Sequence, residues 1–294
     1  MFRPSPSWTE RVGAPVVLHL DSMPKLSRLC AQGPNLPSLR SVRGQSDIGR
    51  IRRRNEDALA LNGSSGVAVV ADGMGGHPGG DVASRLAVSA TADALADAMQ
   101  GCPDPAGFVA HMRAIMLDAV LGAHATIRER GVQEPHLNGM GTTLTAMVTH
   151  PDTGAWVIGH VGDSRAYRIH GETMDQVTRD DTWIQQQIEN NPDLDPARAR
   201  HSPYAHLLTQ CLGLEDTPTP QILDGTAAPG DRFLLCSDGL VGMLEDDTML
   251  SILAQAFSEN GADPAAPLLN LVEAANEAGG HDNITAVLVS FESN

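Results

Sequence analysis

The chain has 294 residues, 41 per cent of them hydrophobic and only 3 per cent aromatic, and a formal net charge of −16. Its length and apolar content suit one large domain or two small ones. The acidic balance argues against nucleic acid or an anionic membrane surface as partner, while an excess of carboxylates suits hard cations.

Residues 1–40 are rich in Pro, Ser and isolated charges without sustained periodicity, and read as a poorly ordered N-terminal extension. Residues 41–294 read as the folded domain. The stretch "APVVLHL" is short for a secretory signal and lacks a clear cleavage site. No run approaches the ~18 apolar residues of a membrane span, so a cytoplasmic protein is expected. Cys30, Cys102, Cys211 and Cys236 stand far apart, with no CxxC pair and no His at zinc-finger spacing, and nothing demands an oxidising compartment.

"GVAVVAD" (66–72) reads as a buried strand ending at an acid. After a glycine-rich turn, 81–99 carries small and apolar residues at helical spacing. A longer amphipathic helix covers 105–130, closed by Gly131. Strand patterns follow at 142–150, 155–163 and 164–171, the first two joined by the hairpin turn "PDTG". Residues 179–203 are polar and partly helical, as expected of a flap over a site. Then come a strand in "GDRFLLCSDG" (230–239), helices over 246–257 and 265–279, and a closing strand in "DNITAVLVSFE" (282–292). Strict βαβ alternation is absent, which favours an antiparallel α+β architecture.

Three acids share one local grammar. Asp72 ends "VAVVAD" before Gly73, Asp238 ends "FLLCSD" before Gly239, and Asp282 follows Gly279 and Gly280 and opens a strand. If those strand ends converge, three carboxylates share a pocket and need a compensating charge. A divalent cation supplies it, and oxygen-only ligation points to Mg²⁺ or Mn²⁺ rather than zinc. Glu56, Asp57 and Asp163 sit in similar positions. Any one of these acids alone reads as a turn or helix cap; the repetition carries the cation reading.

The loop "DGMGGHPGG" raises the alternative of a phosphate cradle. It has no Lys followed by a hydroxyl, so it is not a P-loop, and Pro78 interrupts the dinucleotide fingerprint. Its glycines are expected to let the backbone crowd a metal and to leave the Gly73 carbonyl free as a ligand.

In this order, "RRRNED", "VVADGMGGHPGG", "GMGTTLTAMV", "GHVGDSRAYRI", "LLCSDGL" and "GGHDNITAVLV" resemble the metal-dependent serine/threonine protein phosphatases of phosphatase 2C type, in their bacterial form, over roughly residues 42–291. The resemblance implies a four-layer α-β-β-α sandwich, with two antiparallel sheets flanked by pairs of antiparallel helices. It implies that Asp72, Asp238 and Asp282 hold a binuclear Mn²⁺ or Mg²⁺ centre with the Gly73 carbonyl, and that Glu56 acts through metal-held water. Asp163 matches the acid that, with Asp238, supports a third, weaker metal, and Arg52 matches the arginine that grips the substrate phosphate. The implied activity is hydrolysis of phosphoserine and phosphothreonine in proteins by metal-activated water, reversing a bacterial Ser/Thr kinase. A monomer is expected.

The chemistry supports that implication. Two ions can acidify one water and neutralise the phosphate, and an arginine fork matches phosphate better than Lys. "CSDGLVG" has no Arg where a Cys-x5-Arg nucleophile motif would need it. The alternative is a non-catalytic pseudophosphatase acting as a binding module. Loss of Asp72, Asp238 or Asp282 would favour it, and none is lost. Met74 stands where eukaryotic members place a histidine, and "RDDTW" opens the flap in place of Asp-His-Ser. His77 reads as a loop residue, His160 and His281 as packing residues, and Thr142 and Thr143 as strand packing. Arg50, Arg53 and Arg54 read equally as a positive approach for phosphate or as solvated charge.

Overall fold

The computed structural model describes residues 17–19, 37–74, 79–100, 105–191, 194, 202, 204–259 and 265–293. Eleven strands among them form two sheets. The first runs β1 (Val17–His19), β3 (Asp57–Asn62), β4 (Val67–Asp72), β5 (Leu144–Thr149), β6 (Ala155–Val161), β9 (Gln221–Thr226). The second runs β2 (Pro37–Asp47), β11 (Ile284–Ser293), β10 (Arg232–Cys236), β7 (Arg165–His170), β8 (Thr173–Gln176). All pairings are antiparallel except β1 with β3, which is parallel. That short strand covers the edge β3 would otherwise present.

Three apolar layers account for the stacking. β4, β5 and β6 are buried on both faces, which is why they read as continuous apolar runs rather than alternations. One face meets α1 (Gly80–Gln100) and α2 (Phe108–Gln133), through Ala87, Leu95, Met112, Met116 and Ile127. The helices lie close: a Cβ on Gly159 of β6 would come within 2.6 Å of the Met116 side chain. The other face meets the second sheet through Leu59, Val70, Phe233 and Val289. Beyond that sheet pack α5 (Asp246–Glu259) and α6 (Ala266–Glu277), through Met249, Leu253, Leu268 and Leu271. This is the four-layer α+β sandwich.

Two further helices are short. α3 (Trp183–Asn190) begins at Thr182, whose hydroxyl accepts from Gln185 N, a capping arrangement. α4 (Asp238–Val241) is a single turn that follows β10 after its N-cap Ser237, so Asp238 is the first residue of a helix rather than the last of the strand. Within the stretch read as a poorly ordered extension lie β1 and the start of β2; residues 1–16 and 20–36 are outside the described residues. The flap segment is described through Asn191 and again from Tyr204, with isolated positions between. Its two ends are zipped together: Trp183 N donates to Leu207 O (2.8 Å) and Thr209 N to Asp181 O (2.8 Å).

Register positions the acids. Cys236 at the end of β10 pairs with Arg165 at the start of β7 and with Ala286 near the start of β11. Asp238, Asp163 and Asp282 therefore leave or approach the second sheet at one edge. In the first sheet Asp57 pairs with Asp72, and Leu144 with Val161 just ahead of Asp163. Both sheets thus deliver their acids to the same end of the sandwich.

Candidate functional site

A cavity of about 420 Å³ opens at that end. Arg52, Asp72, Asp163, Asp238 and Asp282 line it together with Met74, Thr143, His206, Leu207, Leu208, Cys211 and Leu214. Five of the seven site residues expected from the sequence therefore meet around one space. Glu56 stands at the margin, outside the lining, with Asp81, Arg52 and Arg54 as its charged neighbours. Gly73 follows Asp72 and bridges to Thr142.

Asp72 is held by its backbone. The Asp72 carbonyl accepts from Thr142 Oγ1 (2.7 Å) and Thr143 N (2.9 Å), and its N–H donates to Thr143 Oγ1 (3.0 Å). The two threonines read as strand packing are thus also the latch for Asp72. Thr143 Oγ1 pairs in turn with Ser164 Oγ (2.7 Å), joining the Asp72 and Asp163 loops. Asp282 Oδ1 accepts from Asn283 N (2.8 Å) and Oδ2 from Arg52 Nη2 (2.6 Å).

Gly73 has a packing reason of its own. A Cβ on Gly73 would lie 2.3 Å from Gly80 O and 2.6 Å from Glu56 O. Crowding by the start of α1 and by the Glu56 backbone accounts for this glycine without a metal. Gly75, Gly76, His77 and Pro78 lie outside the described residues.

The electrostatics are those of carboxylates forced together. Desolvation, then Asp57 and Asp238, raise Asp72 well above the usual carboxyl range. Asp238 is raised for the same first cause. Asp163 is pushed up to about 8 by desolvation and then by Asp238. By exposed area these three are only half-buried. They nevertheless sit at the floor of a cleft, where protein rather than water fills most directions. Asp72 and Asp238 lie close enough for each to shift the other, as neighbouring carboxyls do.

Behind them Asp57, 5 per cent exposed, accepts from Ser237 Oγ (2.8 Å) and is pushed up to about 7, mainly by desolvation. Glu56 is also raised, by desolvation and then Asp81. These shifts set a sign for stability. A carboxyl whose folded pKa exceeds its unfolded value near 3.8 holds in the fold a proton that the unfolded chain releases. Its stabilisation is complete below the unfolded value and is lost as pH rises through about 7 to 8. The melting temperature of the protein in chelator should therefore fall between about pH 5 and about pH 8. A flat or rising profile in differential scanning calorimetry would contradict these environments.

Whether divalent ions fit can be judged from the donor set. Asp238 Oδ1 and Asp57 Oδ1 are buried without a hydrogen-bond partner, a costly state for carboxylate oxygens that an ion would relieve. Among the described residues, no three His, Cys, Asp or Glu side chains already form a ready shell for an ion. The acids are instead engaged in twos, Asp72 with Asp238 and Asp282 with Arg52. Oxygen donors, excess negative charge and orphaned carboxylate atoms fit Mg²⁺ or Mn²⁺, with the carboxylates rotating off their present partners.

Several contributors escaped the sequence reading. Asn283, 3 per cent exposed, donates through Nδ2 to Ile48 O and Arg54 O (both 2.9 Å), and its Oδ1 accepts from Glu56 N (2.8 Å). It clamps the loop that carries Arg52. Asp181, 1 per cent exposed, accepts from Gly162 N (3.1 Å) and Gln210 Nε2 (3.2 Å), tying the Asp163 loop to the flap ends. His206 lines the cavity from the far end of the flap, where no motif marks it. His160 is fully buried between Thr145 Oγ1 (2.9 Å) and Gly162 O (3.0 Å), as a packing residue would be. His281 is exposed.

The family model described as protein phosphatase 2C matches residues 43–273. The serine/threonine protein phosphatase PstP of Mycobacterium tuberculosis is 35 per cent identical over 245 residues, covering 83 per cent of this chain and 43 per cent of that protein. The chain thus spans less than half the length of PstP. The serine/threonine phosphatase stp of Listeria innocua is 33 per cent identical over 257 residues, covering 83 per cent of this chain and 93 per cent of the relative. Among solved structures, the PstP catalytic domain in complex with two manganese ions superposes with a TM-score of 0.70 at 33 per cent identity, covering 87 per cent of this chain and 99 per cent of that one.

Proposed function

The chain belongs to the protein phosphatase 2C family, and from that premise we propose that it is a metal-dependent phosphatase of phosphoserine and phosphothreonine proteins. The observation that carries this reading is the convergence of Asp72, Asp163, Asp238 and Asp282 with Arg52 around one cavity. Asp72, Asp238 and Asp282, with the Gly73 carbonyl, would hold two Mn²⁺ or Mg²⁺ ions, and Asp163 with Asp238 a third. Bound ions supply Lewis-acid neutralisation of the phosphate and a more acidic water. The relative solved with two manganese ions supports that assignment.

The chain's own residues do the rest. Arg52 is tied to Asp282 through Nη2 alone, leaving the remainder of its guanidinium fork for phosphate oxygens. Glu56, raised above its usual range and anchored through its backbone to Asn283, can hold or pass a proton at the cavity margin. Met74, Leu207, Leu208 and Leu214 form the apolar part of the lining. A cysteine nucleophile is disfavoured: Cys211, which lines the cavity, is pushed up to about 11 by burial and then Asp163, so it stays a thiol at neutral pH.

The catalytic domain is proposed to span 41–294, with 179–203 as a flap, acting as a monomer in the cytoplasm against the products of a Ser/Thr kinase. No described helix is long and apolar enough to cross a membrane. The test is hydrolysis of p-nitrophenyl phosphate and of a phosphothreonine peptide with Mn²⁺, Mg²⁺ or EDTA. Turnover that requires the ion supports the reading. Folded, metal-loaded protein without turnover on either substrate would make the chain a binding module instead.

A further inference from the structure

The loop from Ile48 to Glu56 carries four of the chain's 20 Lys and Arg residues within five positions, in a chain of net charge −16. Several exposed arginines elsewhere have acidic partners, Arg40 with Glu292, Arg85 with Asp81, Arg130 with Glu134 and Arg179 with Glu189, while Arg43 and Arg128 donate to backbone carbonyls. Arg53 and Arg54 are exposed and make no ion pair among the described residues. They follow Arg52 directly in the chain, so two further cations stand one and two positions from the arginine that lines the cavity.

The loop is also rigidly held. Asn283 Nδ2 grips Ile48 O and Arg54 O, Arg50 N donates to Gly280 O (2.7 Å), and Gly49 N donates to Asp47 Oδ1 (2.9 Å). Gly49 has φ +80°, and a Cβ there would lie 2.1 Å from Asp282 O, so the loop is pressed against the site's own backbone. Between Arg50 and Arg53, Ile51 is 66 per cent exposed and Arg52 lines the cavity. Arg54 stands close enough to Glu56 for its charge to act there. The backbone that carries both arginines is thus fixed next to Arg52, and only their side chains remain to be ordered when an anion arrives.

We propose that Arg53 and Arg54 form a subsite for a second anionic group of the substrate, a carboxylate or another phosphate within a few residues of the phosphorylated Ser or Thr. This rests on the phosphatase reading above and names the class of substrate that site selects. A peptide carrying acidic or phosphorylated neighbours pairs with cations that the enzyme leaves open. A peptide with basic neighbours is repelled.

The test compares four phosphothreonine peptides, flanked by Ala, by Glu, by Lys or by a second phosphothreonine, with the wild type and with Arg53→Gln/Arg54→Gln. Exposed pairs contribute modestly, so kcat/KM should be about three- to tenfold higher for the Glu-flanked than for the Ala-flanked peptide, and lowest for Lys. The preference should collapse in the double variant and at ~1 M salt, where the Debye length is ~3 Å. Hydrolysis of p-nitrophenyl phosphate, which has no flank, should change much less than the Glu-over-Ala preference, because Arg54 acts there only through its charge on Glu56. Preference for the doubly phosphorylated peptide alone would identify the second group as phosphate. Equal rates on all four peptides, or a preference that survives in the double variant, would overturn the subsite while leaving the phosphatase reading intact. No metal-dependent turnover of p-nitrophenyl phosphate would instead remove the reading on which it rests.

Discussion

Replacing Asp238 by Asn should reduce metal-dependent phosphate release by at least ~10³-fold, because several kcal/mol of transition-state charge stabilisation depend on the ions it helps to hold. The same change should leave the metal-free protein as stable as the wild type or more so. Asp238 is raised by burial, stands against Asp72, and has its Oδ1 buried without a partner. An isosteric amide removes a like charge and supplies a donor that Asp72 can accept. Steady-state kinetics on a phosphothreonine peptide and melting curves in EDTA check both halves. Activity near wild type would refute the ligand assignment. A loss of activity with a marked drop in melting temperature would make Asp238 a structural residue instead.

Asn283→Ala should be the most damaging single change outside the acids. It orphans two carbonyls and one N–H that the Asn283 side chain now satisfies at 2.8 to 2.9 Å. These groups are only partly buried, so each costs about 1 kcal/mol, the low end for an unsatisfied group, and roughly 3 kcal/mol in total is expected. For a domain of this size that lowers the melting temperature by roughly 10 °C. The loop bearing Arg52 would also loosen, raising KM for a phosphopeptide by about tenfold, the equivalent of ~1.4 kcal/mol. Asn283→Asp keeps the shape but turns both donors into acceptors facing carbonyls, and should be at least as harmful. A variant that melts and turns over like the wild type would show that other contacts hold the loop.

Much of the fold was legible because its central strands are apolar runs closed by an acid. β4 and β10 end at Asp72 and Cys236–Ser237–Asp238, and their burial on both faces left a continuous hydrophobic signature. β2 carries no such mark. Of its eleven residues only Pro37, Val42 and Ser46 are buried, so neither alternation nor an apolar run announces an edge strand. β9, half-exposed throughout, was illegible for the same reason.

The acids of the site could be found because each sits at a strand end beside a glycine. Their supports could not. Asn283 reaches Ile48 and Arg54, Asp57 meets Ser237, and Thr142 and Thr143 latch Asp72. Those contacts join segments far apart in the chain and leave no local pattern. The glycines show the same limit: Gly73 reads as room for a ligand, whereas its neighbours are Glu56 O and Gly80 O. A Cβ on Gly239 would lie 2.0 Å from Asn283 O, an equally nonlocal demand.

The central claim is that the carboxylates gathered around this cavity act by holding divalent ions for phosphate release. The most direct test is to follow phosphate from a phosphothreonine peptide while Mn²⁺ is supplied, withdrawn with EDTA and restored, with Asp72→Asn run beside the wild type. The wild type should turn over, stop on chelation and resume when the ion returns, and the folded variant should stay inactive throughout. Turnover that survives chelation, or a variant that matches the wild type, would contradict it.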